Sequence, residues 1–364
     1  MRISIIGPAY PLRGGIAHHV YCLKQQLSTR GHDVQIISFR RLYPRIFFPG
    51  TTELDTSRLK LDPGAVPILI PLNPLSWLRT FNEVKAFAPD AVIIQWWQPF
   101  FGPLVGTLAR WFRSSGIKCI IECHNVFPHE RSPLDGMLIR FALSAAHHLI
   151  THSTKDRSDL LTLMPGKVVS VSSLPRLIEL AGPLKTTRGG RTILFFGKVR
   201  KYKGLAVLLA AMPEVLSKVD CKLIVVGEFY DPIDKYRQLI SRYKLDGKVE
   251  IENRYVPNEE VAAIFAGADV LVLPYVSASQ SAVAHIALSN GLPLIASNAG
   301  GLSETVVDQF NGLLFPAGDS NALADRIIKY FTQGLGPKFC ANIRETPADQ
   351  ELGKVIEDIV LQEK

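Results

Sequence analysis

At 364 residues the chain is long for one domain and sufficient for two. Hydrophobic residues make up 47% and charged residues 20%, which is typical of a globular protein with a large core. No run of about 18 apolar residues occurs, so no membrane-spanning helix is predicted. The first ten residues, MRISIIGPAY, are soon interrupted by Gly-Pro and are interpreted as a strand, not as a signal peptide.

The net charge of +8 is confined to the first half of the chain. Residues 1–180 contain 20 Lys+Arg and 12 Asp+Glu, whereas residues 181–364 contain 21 of each. This asymmetry indicates either an anionic partner for the first half or a basic surface that only meets solvent.

The five cysteines are odd in number and have no paired metal-ligand spacing, because Cys119 and Cys123 lack a second pair. Buried free thiols in a reducing cytoplasm are therefore expected.

The first half alternates buried strands with helices. Strands are predicted at residues 3–6, 34–39, 91–97, 118–123 and 148–152, with a Gly/Pro-rich loop at 7–15 and a helix at 16–29. Residues 42–50 are apolar, basic and proline-rich, and are interpreted as a loop that either touches a membrane surface or packs on its domain.

The second half repeats the same pattern after a linker predicted at residues 174–191. Strands are expected at 192–196, 222–226, 249–252, 270–273 and 294–296, with helices at 205–218, 233–243 and 259–266. The fold class is therefore α/β, with Rossmann-like domains at 1–180 and 181–347 facing each other across a cleft. A C-terminal helix at about 348–364 is expected to pack back on the first domain.

Two strand-to-helix junctions lie close together in the sequence between residues 270 and 304. Each helix start presents free backbone N–H groups and a partial positive charge, which is where an open parallel sheet binds phosphate. Ordinary α/β packing with tight turns is the alternative.

The turn after residues 192–196 adds cations to this chemistry. Gly197 lets a ligand approach the backbone, and Lys198 and Lys203 can neutralise a diphosphate. A solvated basic turn is the alternative. The chain has neither a Walker loop nor a G-x-G-x-x-G motif after its first strand, which argues against P-loop hydrolysis and nicotinamide binding.

A set of short motifs follows in order along the chain. The first half contains Gly14-Gly15 after the first strand and His124 after a central strand. The motifs of the second half are Gly197-Lys198, Lys203-Gly204, Val226-Gly227-Glu228, Ala268-Asp269-Val270, Pro274, Gly291-Leu292-Pro293-Leu294-Ile295-Ala296, Gly300-Gly301-Leu302-Ser303-Glu304 and Asn311-Gly312. In order and spacing this set resembles the family 4 glycosyltransferases, which are retaining, nucleotide-sugar enzymes with the two-domain GT-B fold.

The resemblance implies a role for each matching residue. His124, Lys198 and Lys203 would form the catalytic group, with the lysines on the donor diphosphate and His124 near the transferred sugar. A satisfied core histidine is the alternative for His124. The donor-binding residues would be Gly14, Gly15, Gly197, Ser279, Gln280, Ser281 and Glu304. Apart from the resemblance, Arg13 in the first loop, Trp97 at a strand end and His129 in a polar loop are candidates for the acceptor side, with core packing as the alternative for Trp97.

One departure from the family pattern concerns the helix after Pro274, where the family commonly has two glutamates. Ala278 and Ile286 stand at those positions, and neither side chain can accept a hydrogen bond. Three explanations are open: replacement by Ser279, Gln280 or Ser281, a donor with other needs, or a catalytically weak relative.

The resemblance implies a retaining glycosyltransferase that moves a sugar from a nucleoside diphosphate to a glycan or lipid-linked acceptor. It would work in the cytoplasm or at the inner face of an anionic membrane, and without nucleic acid. No cofactor or metal is expected beyond the nucleotide-sugar co-substrate, since Asp-x-Asp is absent and the lysines supply positive charge. A non-catalytic nucleotide-sugar or glycan-binding relative, and a nucleotide-sugar epimerase on the same scaffold, are the alternatives.

Overall fold

The computed structural model describes residues 1–43, 52–128, 132–175, 180–182, 191–346 and 352–362. Contacts between Cα atoms divide the chain into two compact units. Unit 1 comprises Met1–Thr56, Lys60–Pro175 and Ala348–Lys364, and unit 2 comprises Ser57–Leu59 and Arg176–Pro347. Most of the predicted loop 42–50, most of the predicted linker 174–191, and His129 lie outside the described residues.

The described residues form strands and helices that alternate along the chain. The strands are β1 Arg2–Ile6, β2 Asp33–Phe39, β3 Val66–Leu69, β4 Ala91–Trp96, β5 Lys118–Cys123, β6 His148–Thr151, β7 Val169–Val171, β8 Thr192–Phe196, β9 Lys222–Val226, β10 Val249–Glu252, β11 Val270–Leu273, β12 Leu294–Ser297 and β13 Gly312–Phe315. The helices are α1 Gly15–Thr29, α2 Pro74–Phe87, α3 Gly102–Ser114, α4 Asp135–Leu143, α5 Thr154–Leu163, α6 Leu205–Lys218, α7 Ile233–Arg242, α8 Asn258–Gly267, α9 Ala282–Ser289, α10 Leu302–Thr305, α11 Ser320–Thr332, α12 Gly336–Glu345 and α13 Leu352–Leu361.

Each unit is built on one parallel sheet. Unit 1 has seven strands in the order β3-β2-β1-β4-β5-β6-β7, and unit 2 has six in the order β10-β9-β8-β11-β12-β13. The central strands are almost entirely apolar, as in Val270–Leu273, because a parallel sheet covered by helices is buried on both faces. The predicted α/β class with two Rossmann-like halves is confirmed.

Helix α13 belongs to unit 1, where it packs against α1. Leu352, Ile356 and Ile359 are buried in the same core cluster as residues of α1 and β1. The backbone N–H of Gly353 donates to Gln26 Oε1 at 3.0 Å, and Arg30 pairs with Glu357. Helix α13 is therefore held against α1 by a buried apolar face and by polar contacts at the edge of that face.

The cysteines agree with the expectation of buried free thiols. All five cysteines are buried free thiols, and burial raises the pKa of Cys119 to about 12, so that thiol is not ionised at neutral pH. Among the described helices, none has the length and apolar content needed to cross a bilayer.

Candidate active site

The order of strands places the loops that can bind a ligand. In unit 1, β1 lies between β2 and β4, and in unit 2, β8 lies between β9 and β11. At such a position the connections leave to opposite sides of the sheet, which opens a crevice at the carboxyl ends of the strands. The loops after β1 and β8 contain the predicted glycines.

The loop after β1 leads into the N-terminus of α1. Gly14 has φ +127°, and a Cβ built on it would meet nothing within 4 Å. The first N–H groups of a helix have no acceptor within the helix itself. Helix α1 starts at Gly15, and no side chain caps this end. Arg13, predicted on the acceptor side, is buried at 7% exposure, and its backbone N–H donates to Glu53 O at 2.9 Å.

In unit 2, Lys203 turns inward at the end of β8. Its Nζ donates to Tyr275 Oη at 3.0 Å and would lie 3.7 Å from a Cβ built on Gly197. Tyr275 Oη in turn lies 3.3 Å from Ser281 Oγ. Burial opposes the lysine charge, but Tyr275 and Tyr202 outweigh it and hold the pKa of Lys203 above its usual value. A charged ammonium therefore stands beside Gly197, whose φ is +101°.

Lys198 is placed differently from Lys203. It is exposed, and its Nζ lies 5.4 Å from the centroid of the Tyr230 ring. The Arg200 guanidinium lies 4.7 Å from the centroid of the same ring. Two exposed cations therefore lie near the Tyr230 ring, whereas Lys203 packs against the strand end.

The candidate donor-binding polar residues before α9 also hold the fold together. Ser281 is the N-cap of α9, and its buried Oγ accepts from Ala284 N at 3.4 Å. Gln280 Oε1 accepts from Thr305 Oγ1 at 3.2 Å, and the Ser279 carbonyl accepts from Gly301 N at 2.9 Å.

Two further positions around α9 bear on the missing glutamates. Glu304, in the short helix α10, is exposed. Ile286 is buried at 6% exposure, so its side chain packs in the core and offers no hydrogen-bonding group in place of the family's glutamate. Because Ser281 caps the Ala284 N–H, the backbone N–H groups of Ala282 and Val283 are the ones at the start of α9 that remain to donate to an anion.

A polar cluster lies at the carboxyl ends of β4, β5 and β6 in unit 1, and we call it the histidine cluster. Glu122 is fully buried, and its Oε1 lies 2.7 Å from His19 Nε2 and 3.2 Å from His152 Nε2. Gln95 Nε2 donates to Glu122 Oε2 at 2.7 Å, and Gln95 Oε1 lies 2.6 Å from His124 Nε2. The cluster consists of His19, Gln95, Glu122, His124 and His152.

The cluster sets the charge of its members. Burial alone would raise the pKa of Glu122, but the charges and hydrogen bonds of His19 and His152 outweigh it and hold that pKa well below the usual range. Burial and the two neighbouring histidines hold the pKa of His124 well below its usual value. An ionised Glu122 and a neutral His124 follow at neutral pH.

Three histidines this close raise the question of a metal ion. One nitrogen from each of His19, His124 and His152 can be chosen so that all lie within 4.8 Å of one another. A tetrahedral zinc ion with bonds of about 2.0–2.1 Å keeps its ligands about 3.4 Å apart. In this structure Glu122 Oε1 lies 2.7 Å from His19 Nε2 and 3.2 Å from His152 Nε2, so two of the three candidate ligand nitrogens face a carboxylate oxygen.

Trp97, predicted on the acceptor side, packs mainly against other rings. Its ring centroid lies 4.2 Å from that of Phe101 and 5.9 Å from that of Phe39, and its Nε1 donates to Tyr43 Oη at 3.3 Å. Trp97 is partly buried, so it supports the end of β4 and keeps one part of the indole at the surface.

Sequence reasoning missed most of the histidine cluster, although it found His124. A signal was present: Gln95 and Glu122 interrupt the apolar runs of β4 and β5, where an unpaired polar side chain would be costly. Tyr275, the hydrogen-bond partner of Lys203, was also missed.

Comparison with known families assigns both halves of the chain. The model described as Glycosyltransferase Family 4 matches residues 13–172, and the model described as Glycosyl transferases group 1 matches residues 190–333.

Individual relatives cover most of the chain. A phosphatidyl-myo-inositol mannosyltransferase of Mycobacterium leprae is 26% identical over 353 residues, covering 90% of this chain and 87% of the relative. The sucrose-phosphate synthase of Thermosynechococcus elongatus superposes with a TM-score of 0.71 at 20% identity, covering 100% and 97% of the two chains. Anabaena HepE in complex with UDP gives 0.71 at 15% identity, covering 94% of each. The chain therefore belongs to the group 1, family 4 glycosyltransferases and has the two Rossmann-like halves of the GT-B fold.

Proposed function

We propose that this glycosyltransferase is a retaining enzyme that takes its sugar from a nucleoside diphosphate. The observation that carries the proposal is the Lys203 ammonium beside Gly197 at the carboxyl end of β8. Positive charge and an open backbone at this point suit a diphosphate leaving group. Structures of Anabaena HepE, which has the same fold, are named as complexes with UDP and with UDP-glucose, and they support this choice of donor.

The proposed reaction follows from the leaving group. An acceptor hydroxyl oxygen forms a bond to the anomeric carbon as the bond from that carbon to the phosphate oxygen breaks. The departing phosphate takes the hydroxyl proton, and attack on the face it leaves retains the configuration. Lys203 and the first N–H groups of α9 stabilise the charge on the departing diphosphate, so no metal ion is needed.

Donor binding and turnover are tested with a panel of UDP-, GDP- and ADP-sugars. We expect one donor, at 100 times its Kd, to stabilise the protein by about 2.7 kcal/mol, and we expect slow release of nucleoside diphosphate from that donor. Differential scanning fluorimetry measures the first and a coupled nucleotide assay the second. No thermal shift and no release with any donor would refute the proposal.

A non-catalytic relative is the second candidate, because Ala278 and Ile286 replace acidic residues and Ile286 is buried. It predicts thermal stabilisation by a nucleotide sugar with no release of diphosphate. An epimerase is separated from both by analysing the sugar product in the absence of an acceptor.

The acceptor is proposed to be a glycan or lipid-linked molecule at an anionic membrane, which unit 1 contacts. The mannosyltransferase relative is named for a phosphatidyl-inositol substrate. Helices α2 and α4 both pack on α3, and large apolar side chains are exposed on them or just before them. Arg140 lies in α4, and the Arg110 guanidinium lies 4.1 Å from the centroid of the Phe141 ring of the same helix. The exposed residues are Leu72, Leu75, Leu78, Leu134, Met137 and Phe141. Apolar side chains flanked by arginines suit the surface of an anionic bilayer.

Membrane binding is tested by sedimentation with vesicles of phosphatidylcholine that contain or lack phosphatidylglycerol. The double variant Leu75→Ser/Met137→Ser is expected to bind anionic vesicles about tenfold more weakly, since each side chain contributes about 25 cal/mol per Å² of apolar surface removed from water. The matched control, Val66→Ser/Val168→Ser, removes exposed valines elsewhere in unit 1 and should bind like wild type. Equal loss in both variants, or no preference for anionic vesicles, would contradict the proposed surface.

A further inference from the structure

The amide of Gln95 connects the buried carboxylate of the histidine cluster to His124. Gln95 is 1% exposed, and its two amide atoms point to different partners. Nε2 faces Glu122 Oε2 at 2.7 Å, and Oε1 faces His124 Nε2 at 2.6 Å. Strand register explains the arrangement, because Gln95 of β4 is the Cα partner of Glu122 of β5.

The carboxylate determines which way the amide points. Glu122 is ionised in this setting and can only accept hydrogen bonds. Gln95 must therefore turn its NH₂ group to Glu122, which leaves its carbonyl oxygen facing His124. The opposite orientation would place two acceptors 2.7 Å apart.

The amide in turn determines the proton on His124. A carbonyl oxygen only accepts, so the ring nitrogen that faces it, Nε2, carries the hydrogen. His124 is neutral at neutral pH, because burial and the neighbouring histidines oppose a second proton. A neutral imidazole with hydrogen on Nε2 has its lone pair on Nδ1.

We propose that Gln95 and Glu122 are positioning residues that hold His124 in the Nε2–H tautomer, so that His124 Nδ1 accepts a hydrogen bond from a hydroxyl group of the bound substrate. The identity of the ligand rests on the proposed function, whereas the tautomer is a property of the protein alone. His124 in this state orients a hydroxyl and does not donate to it.

The other members of the cluster make the orientation difficult to reverse. His19 Nε2 and His152 Nε2 both face Glu122 Oε1, at 2.7 and 3.2 Å. His152 Nδ1 donates to the Ser172 carbonyl at 2.8 Å, which turns its Nε2 toward the carboxylate. With Oε1 occupied by His19, Oε2 is the oxygen left for Gln95.

The tautomer is measured on ligand-free protein by long-range ¹H–¹⁵N NMR with ¹⁵N-labelled histidine. The chain has nine histidines, and the His124→Asn variant assigns the signal. We expect wild type to show a slowly exchanging Nε2–H and a non-protonated Nδ1. In Glu122→Gln the new NH₂ would face Gln95, the Gln95 amide would flip, and His124 would change to the Nδ1–H tautomer. A wild-type Nδ1–H tautomer, or an unchanged tautomer in folded Glu122→Gln, would overturn the proposal.

A second variant guards against misfolding of Glu122→Gln. Gln95→Leu keeps the carboxylate but removes the acceptor for His124, and the slowly exchanging Nε2–H should disappear. Ser4→Ala is the control, because it removes the hydrogen bond from Ser4 Oγ to Gln35 Oε1 in the same sheet and should leave the His124 signals unchanged. A persistent Nε2–H in Gln95→Leu would also refute the positioning role.

The substrate contact is measured separately, by turnover of the donor found in the panel. Asparagine places a polar atom where His124 has Nδ1, and glutamine where it has Nε2. His124→Asn should therefore retain at least about tenfold more kcat/KM than His124→Gln, which is the value of one hydrogen bond. The reverse order would refute the Nδ1 contact, while the NMR result tests the tautomer even in a protein without turnover.

Discussion

Replacing Lys203 with methionine is expected to weaken the binding of UDP by about 10- to 100-fold and to leave the binding of uridine nearly unchanged. Hydrogen bonds to charged groups contribute about 1.5–3 kcal/mol each, and the Lys203 ammonium is the cation that lies beside Gly197. Methionine retains a similar length and an apolar stem. Isothermal titration calorimetry with UDP and uridine measures the two affinities.

The matched control for this prediction is Lys201→Met. Lys201 lies in the same turn and is exposed, so its loss removes equal formal charge without touching the strand end. Salt-screened attraction alone would weaken UDP binding equally in both variants. Such equality, or an equal loss for UDP and uridine in Lys203→Met, would mean that the phosphate assignment is wrong.

Gly204→Ala should destabilise unit 2 by about 3 kcal/mol or more. Gly204 has φ +70°, a conformation that costs an L-residue about 1–2 kcal/mol. A Cβ there would lie 1.8 Å from the Pro274 carbonyl oxygen, and relieving such a clash costs about 1–3 kcal/mol in addition. The free energy of unfolding from urea titration measures the loss. For a domain of this size, thermal melting should fall by about 6–12 °C.

Gly247→Ala separates the two contributions to this loss. Gly247 lies in the same unit with φ +74°, but a Cβ there would meet nothing within 4 Å. We therefore expect only the conformational cost of about 1–2 kcal/mol. If both variants lost the same stability, the close approach of Gly204 to Pro274 would have no energetic role.

The bounds predicted for β8 and β11 match the structure, because a covered parallel strand is a nearly unbroken apolar run. The bounds predicted for β5, β9 and β10 match as well, although all three contain charged residues and β10 is a half-exposed edge strand. Three strands at sheet edges were missed, namely β3, β7 and β13. The first two are short and only partly buried, and β13 begins with a glycine, so their apolar signal is weak.

Some residues of the candidate site can be found from a local sequence motif, whereas others are brought together only by contacts between distant segments. Gly197, Lys203 and Gly204 lie in one turn, so their chemistry and even their close approach to a strand end are visible as a motif. His19, Gln95, Glu122 and His152 come from four separate segments of the chain. Each alone is compatible with an ordinary buried polar residue.

By itself, then, the order of apolar runs and glycine turns determined the fold class, the two sheets and the motif that places the chain in its family, because these depend on residues close in sequence. The tertiary structure decided which lysine turns inward, and that Ser281 and Gln280 are engaged in capping and bracing. It also decided the protonation of His124. That last property depends on strand register and on a carboxylate excluded from water, and neither is encoded within any single segment.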